Sequence, residues 1–396
     1  MEKEIQTRCI HLENDDRSNV YGAISYPIFQ TATFAHPGVG MSTGYDYSRA
    51  GNPTREQLEK TVASLESGRR AFAFSSGMAA ITAVMELFEP GDHIITDSDL
   101  YGGSIRLFNT LCAKNQIEFT SADLSGDNWE HIAQDGKIRL EELIQPNTRA
   151  VFIETPTNPM MNVIDIQRLG EYTAKHGLLL IVDNTFLSPY FQNPLKLGAD
   201  IVIHSGTKFI SGHNDVLAGL VVADREDICD KIGFNLLSTG ACLSPFDSWL
   251  VLRGIKTLAV RMEKAQENAG ELADWLEQSG YAKKVIYPGK KEHPGYDIMK
   301  KQASGFGAMI TFEVESREIA REVLKQVKLI RFAESLGGVE TLITYPVTQT
   351  HADVPKDVLK KNGVTDRTLR LAVGIESAKN LIEDLGRALK EAGQSG

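Results

Sequence analysis

Cysteine is scarce in this chain: four in 396 residues, Cys9, Cys112, Cys229 and Cys242, far apart and never in a CxxC pair. That spacing argues against a disulfide framework or a structural zinc site and suits a reducing cytosol. Basic charge is short as well, 42 Lys plus Arg against 52 Asp plus Glu, for a formal net charge of −10. Nucleic-acid affinity comes largely from basic side chains on phosphates, so this balance argues against such a partner. No apolar run approaches the roughly 20 residues that a membrane helix needs. The first residues, Met1-Glu2-Lys3-Glu4-Ile5-Gln6, are charged and lack the apolar stretch of a signal peptide. No GxGxxG follows an apolar strand and no Walker-type lysine is present, so the usual dinucleotide and nucleotide fingerprints are missing. Repeats and low-complexity segments are missing too. What is there is ordinary: 42% hydrophobic and 24% charged residues, close to a soluble globular average. At roughly 100–200 residues per domain, the length predicts two or three domains. These totals predict a soluble, cytoplasmic enzyme and leave the reaction open.

Between about residues 71 and 222, short β-rich runs alternate with helical patterns. Ala71 to Phe74, His93 to Thr96, Ala150 to Ile153, Leu178 to Val182, Ile201 to His204 and Gly219 to Val222 read as strands. Most are continuously apolar, as expected of a largely parallel sheet buried on both faces. Helical patterns at Gly77–Phe88, Ser104–Lys114 and Asp165–His176 lie between them. That alternation predicts βαβ units and an α/β sheet. Residues 1–60 differ, with Pro27, Pro37 and Pro53 among aromatics such as Tyr21, Tyr26, Phe29, Tyr45 and Tyr47. A disordered tail would carry far fewer aromatics, so this segment is expected to be an ordered arm on a partner subunit. Residues 61–250 are expected to form the α/β domain. From 251 to 396, a helical pattern over Val251–Gln278 precedes a smaller α+β domain. Its strands are expected at Lys284–Tyr287, Ala308–Phe312 and Leu369–Val373, and its helices at Glu318–Val327 and Ser377–Glu391.

One segment carries the most chemistry: Ile203-His204-Ser205-Gly206-Thr207-Lys208-Phe209. A strand ends in hydroxyl and glycine residues and presents a lysine just beyond the sheet, where ligands of open α/β sheets bind. Ser205 and Thr207 offer hydroxyls to a phosphate. Lys208 offers an amine that, when partly desolvated, deprotonates readily and forms a Schiff base. An isolated lysine in a polar loop is usually just solvated, so the segment needs company. It has some in Leu180-Ile181-Val182-Asp183, where a carboxylate ends an apolar strand and can bond a protonated pyridine nitrogen. In Phe74-Ser75-Ser76-Gly77-Met78 a strand passes into a helix whose first N–H groups suit an anion. Ser76 alone would be no more than an N-cap. In Asp99-Leu100-Tyr101-Gly102-Gly103 a tyrosine at a strand end can stack on a heteroaromatic ring. Other classes fit less well. A nicotinamide dehydrogenase would need the missing glycine fingerprint, and His204 and His213 sit at no helical ligand spacing, so no metal is expected.

Taken in order, these blocks resemble the Cys/Met-metabolism (trans-sulfuration) family of pyridoxal-phosphate enzymes, from about Tyr21 to Leu389. The resemblance implies the pyridoxal-phosphate-dependent transferase fold type I, aspartate-aminotransferase-like. It is a large, mostly parallel-sheet domain with a smaller α+β C-terminal domain. It implies pyridoxal 5′-phosphate as cofactor, Lys208 as the lysine that bonds it, and Asp183 as partner of its ring nitrogen. Tyr101 would stack on the ring and Asn158 would lie near its hydroxyl. Ser76, Gly77, Met78, Ser205 and Thr207 would hold its phosphate. Tyr47 and Arg49, in Tyr45-Asp46-Tyr47-Ser48-Arg49, match the block that reaches into the neighbouring subunit. The family therefore implies a homo-oligomer, a dimer of dimers with shared sites. Arg370, in Leu369-Arg370-Leu371, matches the arginine that clamps a substrate α-carboxylate, with Glu334 and Ser335 in the loop beside it.

The expected activity is that of a carbon–sulfur lyase on L-cystathionine, by β- or γ-elimination with Lys208 as general base. A γ-replacement enzyme (cystathionine γ-synthase or O-acylhomoserine sulfhydrylase) is the alternative. Methionine γ-lyases typically carry a cysteine where this chain has Gly103. Glu334 matches the acidic residue of γ-synthases and γ-lyases, while the text around Gly338 to Ala352 also resembles bacterial β-lyases. The net charge does not set the sign of the pocket, since Lys208, Arg49 and Arg370 would all surround an anionic cofactor and substrate.

Overall fold

The computed structural model of the chain describes residues 3–11, 19–126, 139–352 and 354–394. Part of the expected N-terminal arm, residues 12–18, lies outside them. The first sheet has seven strands: β1 (Arg70–Phe74), β2 (His93–Asp97), β3 (Glu118–Ala122), β4 (Thr148–Glu154), β5 (Leu179–Asp183), β6 (Ile201–Ser205) and β7 (Gly219–Ala223). Their order is β1-β7-β6-β5-β4-β2-β3. Neighbours are parallel from β6 to β3, while β7 runs antiparallel to both β1 and β6. A mostly parallel sheet buries both faces, so its central strands need apolar residues at every position. Ile201, Val202, Ile203, Leu180, Ile181 and Val182 are all completely buried. Each such side chain contributes roughly 1.5–3 kcal/mol of transfer free energy, which fixes the strands whose ends carry the polar residues.

The second sheet has five strands: β8 (Lys284–Ile286), β9 (Met309–Glu313), β10 (Arg331–Phe332), β11 (Leu342–Thr344) and β12 (Thr368–Ala372), in the order β10-β11-β12-β9-β8. The 22-residue helix Leu258–Ser279 packs on β8 and β9 and on the helix Ala378–Gln394. No helix among the described residues is long and apolar enough to cross a membrane.

Several elements differ from the sequence expectation, among them three strands and one helical pattern. The edge strand β3 has a half-polar sequence, Glu-Phe-Thr-Ser-Ala, and lacks the apolar run that marks the buried strands. Strands β10 and β11 span two and three residues, too short for any period to show. The pattern over Val251–Gln278 forms two helices, Pro245–Ile255 and Leu258–Ser279, not one. The break has a cause: the Arg261 guanidinium donates to the Gly254 carbonyl at 2.8 Å and to the Phe209 carbonyl at 2.6 Å. A Cβ on Gly254 would lie 2.2 Å from the Ser211 carbonyl oxygen, so the first helix ends with its backbone pressed on the segment after Lys208. In the N-terminal arm the described residues hold a short helix, Ile5–Ile10, and the isolated bridges Thr33–Tyr47 and Gly38–Met41.

Candidate active site

The carboxyl ends of β4, β5 and β6 meet the start of the helix Gly77–Met85, the Tyr101 turn and the middle of β12 around a cavity of about 200 Å³. Ser76 caps the helix by accepting the Ala79 N–H at 3.1 Å, a contact that stabilises a helix by about 1 kcal/mol. The N–H groups of the first turn have no partner within their own helix. Gly77 packs closely on Ser205, since a Cβ on it would lie 3.0 Å from the Ser205 Cβ and would press Ser205 aside by a few tenths of an ångström. Thr207 is held in turn by the Ala218 N–H, which donates to its hydroxyl at 3.0 Å.

Lys208 donates from Nζ to the Ser335 hydroxyl at 2.9 Å. Burial, with the Arg370 charge nearby, lowers its pKa to about 8 although Glu334 opposes the shift. Arg370 is completely buried on β12. It donates to Asn158 Oδ1 at 2.7 Å, to the Ser335 carbonyl at 2.9 Å and to the Thr344 hydroxyl at 3.1 Å. Its Nε has no partner, and burial lowers its pKa to about 10. Asp183 accepts both the backbone N–H and the hydroxyl of Thr185. Burial raises its pKa against those bonds and the nearby His204. Burial also raises the Tyr101 hydroxyl, with Glu334 adding to it, so the phenol keeps its proton at neutral pH. Gly103 lets the Tyr101 ring lie over the helix start: a Cβ there would sit 2.4 Å from Tyr101 Cε1.

Of the residues singled out from sequence, Ser76, Gly77, Met78, Tyr101, Asn158 and Asp183 border this cavity, and so do Ser205, Thr207, Lys208, Glu334, Ser335 and Arg370. Tyr47 and Arg49 do not. Arg49 donates to the Leu237 carbonyl at 2.7 Å and lies over the Tyr47 ring on the surface of its own chain. Sequence reasoning passed over Glu154, Thr185 and Thr350, which also border the cavity. Glu154 ends an apolar strand as Asp183 does, a signal that was available. Thr350 carries none, being a polar loop residue far along the chain. A larger hollow of about 700 Å³ lies beside the helix Arg317–Gln326. It also gathers charged side chains, Arg317, Arg321, Lys325 and Asp366, but none of the strand-end residues Glu154, Asp183 and Ser205 that line the smaller cavity, so size does not choose between them.

The residues fit pyridoxal phosphate. A lysine of lowered pKa faces the cavity, a buried carboxylate stands at a strand end, and a glycine-lined helix start lies beside two hydroxyl residues. With the mostly parallel sheet, this arrangement defines a fold type I enzyme dependent on pyridoxal phosphate. The chain belongs to the Cys/Met metabolism PLP-dependent enzyme family, which it matches over residues 6–390. It is 47% identical to a cystathionine gamma-lyase of Bacillus subtilis (strain 168), over 93% of this chain and 95% of that protein. It is 45% identical to a cystathionine beta-lyase of Lactococcus lactis subsp. cremoris (strain MG1363), over 98% and 99% of the two chains. A crystal structure of cystathionine gamma synthase from Xanthomonas oryzae pv. oryzae in complex with cystathionine superposes with a TM-score of 0.94, at 38% identity, over 100% of both chains.

Proposed function

We propose that the chain is a carbon–sulfur lyase acting on L-cystathionine, a thioether with an amino-acid group at each end. The observation that carries this reading is the grouping of Lys208, Arg370 and Glu334 around one cavity. Arg370 would take the substrate α-carboxylate, with its free Nε as one donor. A planar guanidinium suits that task because it bonds two oxygens in a fixed direction. Glu334 would hold the distal ammonium group. Gly77, Met78, Ser205 and Thr207 would hold the cofactor phosphate, Asp183 its ring nitrogen and Lys208 its aldehyde carbon, with Tyr101 on the ring. Bound pyridoxal phosphate supplies the electron sink for negative charge that develops at Cα. Lys208 would take the Cα proton, a task that its lowered pKa favours at neutral pH. Tyr101, still protonated at that pH, would give its proton to the departing sulfur.

A second reading, γ-replacement, is favoured by the likeness to the gamma synthase structure. Two incubations separate them. With L-cystathionine as sole substrate, the lyase reading expects a keto acid, pyruvate from β-cleavage or 2-oxobutyrate from γ-cleavage. Absence of either, with cystathionine formed from an O-acylhomoserine and cysteine, would reject it in favour of replacement.

The assembly belongs to the same proposal. Tyr21 and Ile24 in the arm are 97% and 93% exposed, large apolar side chains that a partner subunit would cover. Tyr47 and Arg49 would then complete a neighbour's phosphate site.

A further inference from the structure

Glu154 has no task in the roles assigned so far, although it borders the cavity. It ends β4 opposite Asp183, which ends β5, in parallel register. Adjacent strands lie about 4.8 Å apart, so the two carboxyls are side by side. They are 5% and 8% exposed. Glu154 Oε2 also accepts the Tyr101 backbone N–H at 2.9 Å. Tyr101 opens the helix Gly102–Leu107, whose start no side chain caps. This contact ties the turn to the sheet.

We propose that Glu154 is a positioning residue of this site, latching the Tyr101 turn to the end of β4 and keeping one proton between itself and Asp183. The inference deepens the cofactor assignment and rests on it. Two buried carboxylates side by side do not both ionise at neutral pH. Asp97 on β2 and Asp99 just beyond it, themselves raised by burial to about 7 and about 8, oppose ionisation of Glu154 from one side as they lose their protons. Arg370 on β12 faces Glu154 from the other, while His204 on β6 lies beside Asp183. Lys208, Glu334 and the Tyr101 hydroxyl complete the titratable groups around the cavity. Asp183 has two donors from Thr185, whereas Glu154 has the single Tyr101 N–H. The negative charge therefore settles on Asp183 and the proton on Glu154. Burial raises both acids, with Glu154 raised well above its ordinary value. One negative charge, on Asp183, would then be available to the ring nitrogen where two would otherwise oppose the substrate carboxylate at Arg370.

The test uses the holoenzyme and two variants, read by visible circular dichroism of the bound cofactor and by its dissociation constant. Glu154→Gln keeps an acceptor for the Tyr101 N–H and has no titratable proton. Its cofactor affinity is expected within about threefold of wild type, without the alkaline dichroism transition that the shared proton predicts for the wild type. Glu154→Ala loses the latch, so affinity is expected to fall about tenfold, as for a lost hydrogen bond to a buried group, with weaker visible dichroism. Wild-type affinity and dichroism in Glu154→Ala would overturn the latch, and so would a Gln variant as weak as the Ala variant. An alkaline transition that survives in Glu154→Gln would overturn the shared proton. A wild-type protein with no violet band would overturn the cofactor assignment itself, a failure recognisable before any variant is made.

Discussion

Lys208 is held where it is poorly solvated and close to a second cation, Arg370. Its pKa falls from 10.5 to about 8, so the folded chain without cofactor carries a penalty for every pH at which this amine is charged. An unfolded lysine keeps its proton up to about 10.4. Between pH 8 and that value the unfolded state binds more protons, and stability rises with pH. Below pH 8 the penalty is complete, about 3 kcal/mol at 1.36 kcal/mol per unit. Lys208→Met is therefore expected to raise the thermal midpoint of the cofactor-free protein at pH 7, with the gain shrinking from pH 8 upwards. Equal midpoints for the two proteins across that range would count against it. At this scale the site was legible wherever a polar side chain ends an apolar run. Asp183 and Ser205 end strands that are otherwise apolar except for His204, and Lys208 follows the second of them. Glu154 obeys the same rule but reads as an ordinary strand terminus, because a backbone N–H as its partner leaves no mark in the sequence. Arg370 sits inside a five-residue strand that is buried throughout. Pattern alone would have placed an apolar residue there, and only the family resemblance pointed to it.

The two helices Pro245–Ile255 and Leu258–Ser279 show what periodicity cannot tell. Their apolar stripe runs through the break nearly in phase, so a single helix was the natural expectation. The cause of the break is a side chain, Arg261, 4% exposed, whose donors go to Gly254, Phe209 and Ile210 carbonyls. The last two follow Lys208 directly, so this arginine connects the helix break to the catalytic candidate. Removing it leaves the Phe209 and Ile210 carbonyls without donors, at about 1–3 kcal/mol each, while the Gly254 carbonyl keeps the Thr257 N–H and hydroxyl. Arg261→Met is expected to lower the urea midpoint by an amount equivalent to at least about 2 kcal/mol. Its cofactor affinity should fall with it as the segment after Lys208 loosens. A variant as stable as wild type would show that water or a rotated carbonyl replaces the guanidinium. The strands of the large sheet were legible because burial on both faces demands unbroken apolar runs. Strand β3, at the edge, faces no such demand and left no comparable signature.

At the scale of the molecule, the question of physics is where Arg49 acts. Within its own chain it sits on the surface against the Leu237 carbonyl, and neither it nor Tyr47 reaches the cavity that holds Lys208. A second copy related by a twofold axis would exchange arms reciprocally, since each patch meets its counterpart in an isologous interface. That geometry makes each site a product of two chains, Lys208 from one and Arg49 from the other, and complementation can detect it. Lys208→Ala and Arg49→Ala proteins, each expected to be nearly inactive alone, are unfolded together and refolded in equal amounts. Half of the resulting dimers are mixed. In each of these, one site pairs the intact Lys208 of one chain with the intact Arg49 of the other. Roughly a quarter of all sites should then recover activity, as random pairing with twofold symmetry requires. If Arg49 served its own chain, every site in the mixture would carry one defect and the mixture would stay as inactive as its parts.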